Sequence, residues 1–341
     1  MRNIIPRLVA MLALCAVQFS PPALAQNVLD EFPDSHTLID EMVQEHGFDK
    51  QELTALFRQV EFQPQIIDTI SRPAESKPWH QYRPIFLNEK RIHGGVAFWD
   101  ENATLLAAAE KEYGVPAQII VAIIGVETYY GRHKGTYKVI EALSTLGFGY
   151  PKRSTFFRNQ VKEFLLMARE EKRDPLAFLG SYAGAMGMPQ FIPSSFRNYA
   201  IDFDKDGQRD LWDNRADIIG SVANYFSRHH WKSGEPVTTR ATLATPSLER
   251  FVKDDVKPSI SLGELSAAGI TTQRPLDEQL TALLALDRDE QNKEYWVTLH
   301  NFYVITRYNR SPLYAMAVHQ LSEAIRSSRA AAQRKAERAA G

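Results

Sequence analysis

The 341-residue sequence holds a single cysteine, Cys15, and it falls within the first 25 residues. In that stretch Arg2 and Arg7 precede an apolar run from Leu8 to Phe19, and Ala23-Leu24-Ala25 stands before Gln26. This is the layout of a secretory leader with a small-residue cleavage site. A chain cut after Ala25 has no thiol, which excludes disulfides and Cys-based metal centres. Lipid attachment at Cys15 would anchor the chain, but the bulky Leu14 before it disfavours that route. Beyond the leader no uninterrupted apolar run reaches the roughly 20 residues of a membrane span. An excess of one charge is also missing: without Arg2 and Arg7, 38 basic residues stand against 41 acidic ones, a net charge of −3. Nothing there favours a nucleic-acid partner. No internal repeat recurs. The expectation is an exported, soluble protein.

What the chain does have is 44% hydrophobic content, enough for one large domain with a lobe or two small ones. Helical spacing of apolar residues runs from Ser35 to Val60 and predicts two short helices. The Pro-rich, aromatic stretch Phe62 to Pro84 reads as an ordered loop. A helix is predicted over Ala97 to Tyr113; Gly114-Val115-Pro116 stops it and opens another. Further helices are predicted over about 155–173, 176–184, 194–200 and 216–229. Beyond Gly234 short β-branched runs broken by Pro, Gly and charge predict a small β lobe over about 235–300. Helix resumes from Pro312 to Arg326, and the basic Ala-rich tail 326–341 reads as a frayed helix or disordered end.

The run IIVAIIGVETYYGRHKG, Ile119 to Gly135, sets Glu127 behind a row of apolar and small residues. On a helix Glu127 shares a side with Ile120, Ile123 and Ile124. An apolar wall disfavours the ionised carboxyl and raises its pKa, the adjustment a general acid needs. The alternative is an ordinary helix end, with Glu127 turned to solvent or paired with Arg132. Tyr129 and Tyr130 follow the acid, and aromatics beside an acid suit a sugar. A second segment, Ser181 to Ala200, has Gly184, Ala185, Gly187 and Pro189 near Gln190 and Phe191, allowing close backbone approach. It could equally be a tight turn with Met186 and Met188 in the core. A third, Phe302 to Ala315, crowds Tyr303, Tyr308, Asn309, Ser311 and Tyr314 together, as a sugar-binding wall or as a strand end packing its tyrosines on the core.

Glu127 with Thr-Tyr-Tyr-Gly, the AGAMGMPQFIPSS run, the Asp-rich loop before NYF, and TRYNRSPLYA come in the order of the membrane-bound lytic transglycosylase B family, which this chain resembles from about Trp79 to Val318. The resemblance implies an enzyme that cleaves peptidoglycan glycan strands in the periplasm, with cell-wall synthesis or remodelling proteins as candidate partners. It implies a mainly α (α+β) fold: an N-terminal helical segment over 26–75, a lysozyme-like helical core over 76–234 and 301–325, and the small β-rich lobe. Glu127 matches the family's sole catalytic acid/base. Ser181, Gln190, Phe191, Tyr225, Tyr308, Asn309 and Tyr314 match cleft residues, and Tyr82 in WHQYR joins them. Phe157 stands where a methionine can line the family's cleft, another apolar side chain. No cofactor is implied for the chemistry. Glycosidases generally use two carboxylates, and substrate-assisted exceptions use a group on the sugar; here the cleft motifs offer one strong acid. Two other readings stay open: a non-catalytic wall-binding protein, and a hydrolase using Asp202 or Asp204 as second acid.

DFDKDGQRDLWD, residues 202–213, has Asp202, Asp204 and Asp206 at alternate positions before Gly207, the spacing of an EF-hand calcium loop. Gln208 is its position seven. Position eight is Arg209 rather than apolar, and position twelve is Asp213 rather than Glu. The family's calcium loop takes its last ligand a little later, which makes Asp217 an alternative to Asp213. Without calcium the segment is a solvated acidic turn.

Overall fold

The computed structural model describes residues 27–72 and 77–340; the expected leader and Cys15 lie outside them. Four short helices come first: α1 (Val28–Glu31), α2 (Asp34–His46), α3 (Lys50–Phe57) and α4 (Pro64–Ile70). Next are α5 (Trp79–Phe86), α6 (Glu89–Glu101), α7 (Ala103–Tyr113) and α8 (Ala117–Thr128). A two-residue strand β1 (Tyr137–Lys138) leads to α9 (Val139–Gly149), α10 (Ser154–Glu170), β2 (Leu179–Gly180), α11 (Pro193–Tyr199) and α12 (Arg215–Arg228). The lobe that follows contains β3 (Thr238–Leu243), β4 (Ile260–Ser261), α13 (Leu262–Ala268), β5 (Ile270–Thr272), β6 (Leu280–Asp287) and β7 (Lys293–Thr298). The chain ends with α14 (His300–Tyr308) and α15 (Pro312–Ala340).

Three cores hold these elements. The first joins α5 to α8 with α12, α14 and α15. The second packs α1 to α4 on α9, α10 and α11. The third lies inside the β lobe, whose antiparallel sheet has the order β4-β6-β7-β3-β5. Tyr308 packs against both helical cores and so marks the seam between them.

Helix α8 is the axis of the first core. Gly114, left-handed at φ 70°, ends α7, and Pro116 in extended backbone caps α8. Every residue from Ile119 to Gly125 is buried, so the expected one-sided apolar face is too narrow: the helix is enclosed on all sides until Val126 and Glu127 reach partial exposure.

Several expected elements differ. The stretch 62–84 contains α4 and α5, because Pro64 and Pro78 start those helices instead of breaking a loop. Asn102 separates α6 from α7, and α6 begins as early as Glu89. Residues 176–184 form a 3₁₀ turn, strand β2 and a tight turn, not a helix; Gly180 bridges Met186, and a Cβ at Gly180 would collide with the Ala185 backbone. Residues 302–308 are helical rather than a strand end, since the β-branched run stops at Thr298. The basic tail continues α15 to Ala340; Arg329 pairs with Asp100 at 2.7 Å and lies 4.8 Å over the Trp99 ring.

Candidate active site

Glu127 occupies the last turn of α8, half-buried, and Tyr314 Oη donates to its Oε1 at 2.5 Å. Burial pushes the carboxyl up to about 7, while the Tyr314 hydrogen bond pulls it down. Among the described residues no neighbouring charge contributes to the shift. The hydroxyls of Tyr314 and Tyr308 are held well above their ordinary range, by burial first and then by the charge of Glu127, so both stay protonated donors.

The backbone beyond the acid is strained. Tyr129, Tyr130 and Gly131 are successively left-handed, with φ of 52°, 60° and 87°. Two non-glycine residues in that region cost on the order of 1–3 kcal/mol each and persist only where surroundings fix them. Tyr130 Oη donates to the Arg91 carbonyl at 2.8 Å, and the Arg91 guanidinium donates to the Gly125 carbonyl while lying 4.7 Å over the Tyr129 ring. A Cβ at Gly95 or Gly125 would stand 2.6 Å from Tyr130 Oη, so both helices need glycine where that ring passes.

Three hydrogen bonds stitch the three candidate segments into one site. Thr128 Oγ1 donates to the Met188 carbonyl at 3.0 Å, Tyr308 Oη to the Pro189 carbonyl at 2.6 Å, and Tyr314 Oη to Glu127. Gln190, left-handed at φ 54°, donates its Nε2 to the carbonyls of Gly187 (2.8 Å) and Lys134 (3.2 Å). Ser181 Oγ accepts from the amides of Ala183 and Ala185, bracing the turn before them. Asn309 Oδ1 accepts from the Ser311 amide at 3.1 Å, and its Nδ2 has no hydrogen bond among the described residues. Tyr82 is buried within electrostatic range of Tyr314.

Other residues proposed for the cleft sit behind its surface. Phe191, Tyr225 and Tyr308 form a ring cluster with centroids 4.7–5.9 Å apart. Phe191 and Tyr225 are only 2% and 6% exposed, and Tyr225 Oη is spent on the Arg307 carbonyl at 2.6 Å. Phe157, 2% exposed, is in the second core against Phe156. These apolar rings therefore back the wall. The sequence reading missed Thr128, Arg91 and the Met188 carbonyl; only the threonine directly after the acid offered a signal.

In the Asp-rich loop, carboxylate oxygens of Asp202, Asp204 and Asp217 come within 4.8 Å of one another. Burial pushes Asp217 up to about 6, with backbone N–H groups of Asp210 and Phe203 opposing and the charges of Asp204 and Asp202 adding. Asp213 is not in this group: Lys134 Nζ takes it at 2.8 Å, which leaves Asp217 to complete the trio. Asp206 and Gln208 are on the exposed rim, where Asp206 Oδ1 accepts from the Gln208 amide. Asp202 accepts from the amides of Asp206 and of Gly207, whose φ of 94° permits the turn. Three hard oxygen donors, one of them the buried Asp217 carboxylate, suit a divalent cation of the calcium type. The loop is also tied to the cleft, since Met188 N donates to the Leu211 carbonyl at 2.8 Å.

An acid at the end of a buried helix, facing a seam between helical layers with a small curled sheet beside them, defines the lysozyme-like fold of lytic transglycosylases. The chain belongs to the transglycosylase SLT domain family, whose model matches residues 31–323. It is 43% identical to the membrane-bound lytic murein transglycosylase B of Escherichia coli over 304 residues, 86% of this chain and 82% of that protein. The crystal structure of soluble lytic transglycosylase SltB1 from Pseudomonas aeruginosa superposes with a TM-score of 0.83 at 54% identity, covering 87% of this chain and 100% of that one. The Escherichia coli lytic transglycosylase Slt35 in complex with calcium gives a TM-score of 0.81 at 43% identity, covering 88% and 94%.

Proposed function

We propose that this peptidoglycan-cleaving lytic transglycosylase works with Glu127 alone, first as acid and then as base. The carrying observation is a carboxyl raised to about 7 by burial, hydrogen-bonded by Tyr314 and without a charged partner among the described residues. At neutral pH a large share of Glu127 is protonated, so it can donate to the glycosidic oxygen between N-acetylmuramic acid and N-acetylglucosamine. The N-acetyl group of the muramoyl residue stabilises the cation developing at C1, the part a second carboxylate plays elsewhere. Ionised Glu127, stabilised by the Tyr314 hydroxyl, then takes the proton of the C6 hydroxyl, and O6 closes onto C1. The products are a 1,6-anhydromuramoyl end and a free N-acetylglucosamine hydroxyl, with no water consumed. Asn309 Nδ2, without an acceptor among the described residues, is the donor at hand for the N-acetyl carbonyl.

Asp202, Asp204 and Asp217 would hold a calcium ion, which would neutralise their clustered charge and tighten the loop. It takes no part in bond cleavage. The working compartment is the periplasm, reached through residues 1–25; among the described residues no helix is long and apolar enough to cross a membrane.

Digesting purified glycan strands and weighing the fragments tests the chemistry. Anhydro ends, lighter by one water than hydrolysis products, are expected. Reducing ends would establish a hydrolase, and intact strands a wall-binding protein.

A further inference from the structure

Glu127 is the last residue but one of α8, and the three residues that follow the helix, Tyr129, Tyr130 and Gly131, are all left-handed. The direction of a side chain in a final helical turn follows the backbone of that turn. Whatever fixes this backbone therefore fixes where the Glu127 carboxyl points. Gly131 accepts a left-handed conformation freely, but the two tyrosines adopt it only where their surroundings hold them.

The two tyrosines are held differently. Tyr130 passes so close to Gly94, Gly95 and Gly125 that a Cβ at any of them would stand 2.6–3.0 Å from its atoms, and its hydroxyl donates to the Arg91 carbonyl at 2.8 Å. Tyr129 is partly exposed, and its hydroxyl has no hydrogen bond among the described residues. Its ring meets Arg132 at 4.8 Å and His133 at 6.2 Å, but both are exposed residues of the same turn and move with it. Arg91, 4.7 Å over the ring, comes from another element, α6.

Arg91 thus reaches both sides of the acid. Its guanidinium donates to the Gly125 carbonyl, two residues before Glu127, and covers the ring of Tyr129, two residues after. That carbonyl also accepts from Tyr129 N at 3.1 Å, so one oxygen anchors the end of α8 and receives the arginine, a cation at the negative end of the helix dipole. The guanidinium is partly buried, burial lowers its pKa, and no carboxylate among the described residues pairs with it. A desolvated cation whose acceptor is a neutral carbonyl is a poor source of stability. Nor does Arg91 contribute to the shift of Glu127, which burial and Tyr314 govern.

We propose that Arg91 is a positioning residue of the cleavage reaction: by tying the Gly125 carbonyl and the Tyr129 ring to α6, it holds the turn that aims the Glu127 carboxyl at the glycosidic oxygen. This rests on the reading of Glu127 as the acid.

The test is steady-state cleavage of purified glycan strands by the full chain across pH, with urea unfolding of each variant to give its folded fraction. Arg91→Met keeps an unbranched stem and removes the guanidinium. A misaimed acid is felt in the transition state, so kcat should fall by about 10- to 100-fold, with KM within about 2-fold of the unsubstituted value. The alkaline limb of the pH profile should stay at about 7. Arg91→Lys retains a donor for the Gly125 carbonyl but not the planar group over Tyr129, and should lose roughly 3- to 10-fold. Tyr130→Phe, which releases only the Arg91 carbonyl, should lose roughly 5-fold with the same signature. In Arg91→Ala, millimolar ethylguanidinium should recover part of kcat where ethylammonium does not. If Arg91→Met folds too poorly to assay, Arg91→Lys and Tyr130→Phe carry the same three readouts. A kcat per folded molecule equal to that of the unsubstituted enzyme would overturn the proposal. So would a rise in KM alone, the mark of a substrate-binding group, or a displaced alkaline limb, the mark of a charge acting on the carboxyl's proton. Cleavage retained in Glu127→Gln would instead overturn the reading of the acid; an inactive Glu127→Gln beside fully active Arg91 variants would overturn the positioning role alone.

Discussion

Glu127 and Asp217 are two carboxyl groups raised by burial, one to about 7 and the other to about 6. What surrounds each differs. Among the described residues Glu127 meets the Tyr314 hydroxyl and no second charge; Asp217 meets Asp202, Asp204 and a set of backbone amides. Desolvation with one neutral donor leaves a proton to be given away, whereas desolvation among like charges leaves a deficit that a cation can fill. Burial alone therefore does not separate the proposed acid from the proposed cation ligand; the company of the group does.

The harshest way to break the comparison is to exchange the acid. Glu127→Gln keeps the shape and removes the proton, so cleavage should fall by about 10³-fold or more, with glycan binding retained. Residual turnover near the unsubstituted rate would place the acid elsewhere. The same variant has a thermodynamic signature. Because burial raises Glu127 above its ordinary value of 4.5, its protonated form favours the folded state; that contribution is complete below about 4.5 and is lost as pH rises through about 7. Glu127→Gln should thus stabilise the fold at pH 8 by on the order of 3 kcal/mol and by almost nothing at pH 4. Urea unfolding at the two values checks this, and a gain independent of pH would contradict a buried, protonated carboxyl.

On the cation side, calcium should do for Asp217 what a proton does. With a dissociation constant of about 0.1–1 mM, as in extracellular calcium modules, 10 mM calcium should stabilise the fold by roughly 1.4–2.7 kcal/mol. Chelation should lower the melting temperature by a few degrees and leave the anhydro product unchanged. A melting curve indifferent to both additions would remove the calcium reading. Asp217→Asn should abolish the calcium response, and Asp213→Asn, which loses only its contact with Lys134, should keep most of it.

How much of this was legible in the sequence varied with the kind of signal. Glu127 behind an apolar run, the glycine-rich turn and the aspartate spacing are local patterns, readable from neighbouring residues alone. The cores, by contrast, depend on distant pairings. Residues 302–308 carry β-branched side chains yet fold as α14, because that helix buries Phe302 and Ile305 in the first core, a tertiary demand that overrides propensity. Prolines 64 and 78 read as loop formers but stand at helix starts, positions that a window of sequence does not distinguish from a turn. Thr128 and Arg91 escaped notice because their roles are hydrogen bonds to backbone carbonyls 60 and 34 residues away. The replacement of Asp213 by Asp217 in the acidic trio follows from Lys134, which lies on a loop nearly 80 residues earlier.

The subtlest test concerns Tyr314, the one side-chain hydrogen-bond donor to Glu127 among the described residues. Its hydroxyl stabilises the carboxylate and so pulls the acid's pKa down against burial. Tyr314→Phe should therefore let Glu127 rise further and move the alkaline limb of the pH–rate profile upward from about 7. Protonation of the leaving oxygen would gain from that shift, while the second half of the reaction, in which Glu127 must accept a proton as carboxylate, would lose the donor that steadies it. A neutral hydrogen bond contributes on the order of 1 kcal/mol, so kcat should fall by roughly 5-fold, far less than with Glu127→Gln. If the limb moves down, or if the variant loses as much activity as the glutamine exchange, the tyrosine is doing more than holding the carboxylate. The contrast with Asp217, which has amides and like charges in that place, would then need a second catalytic group on the Glu127 side.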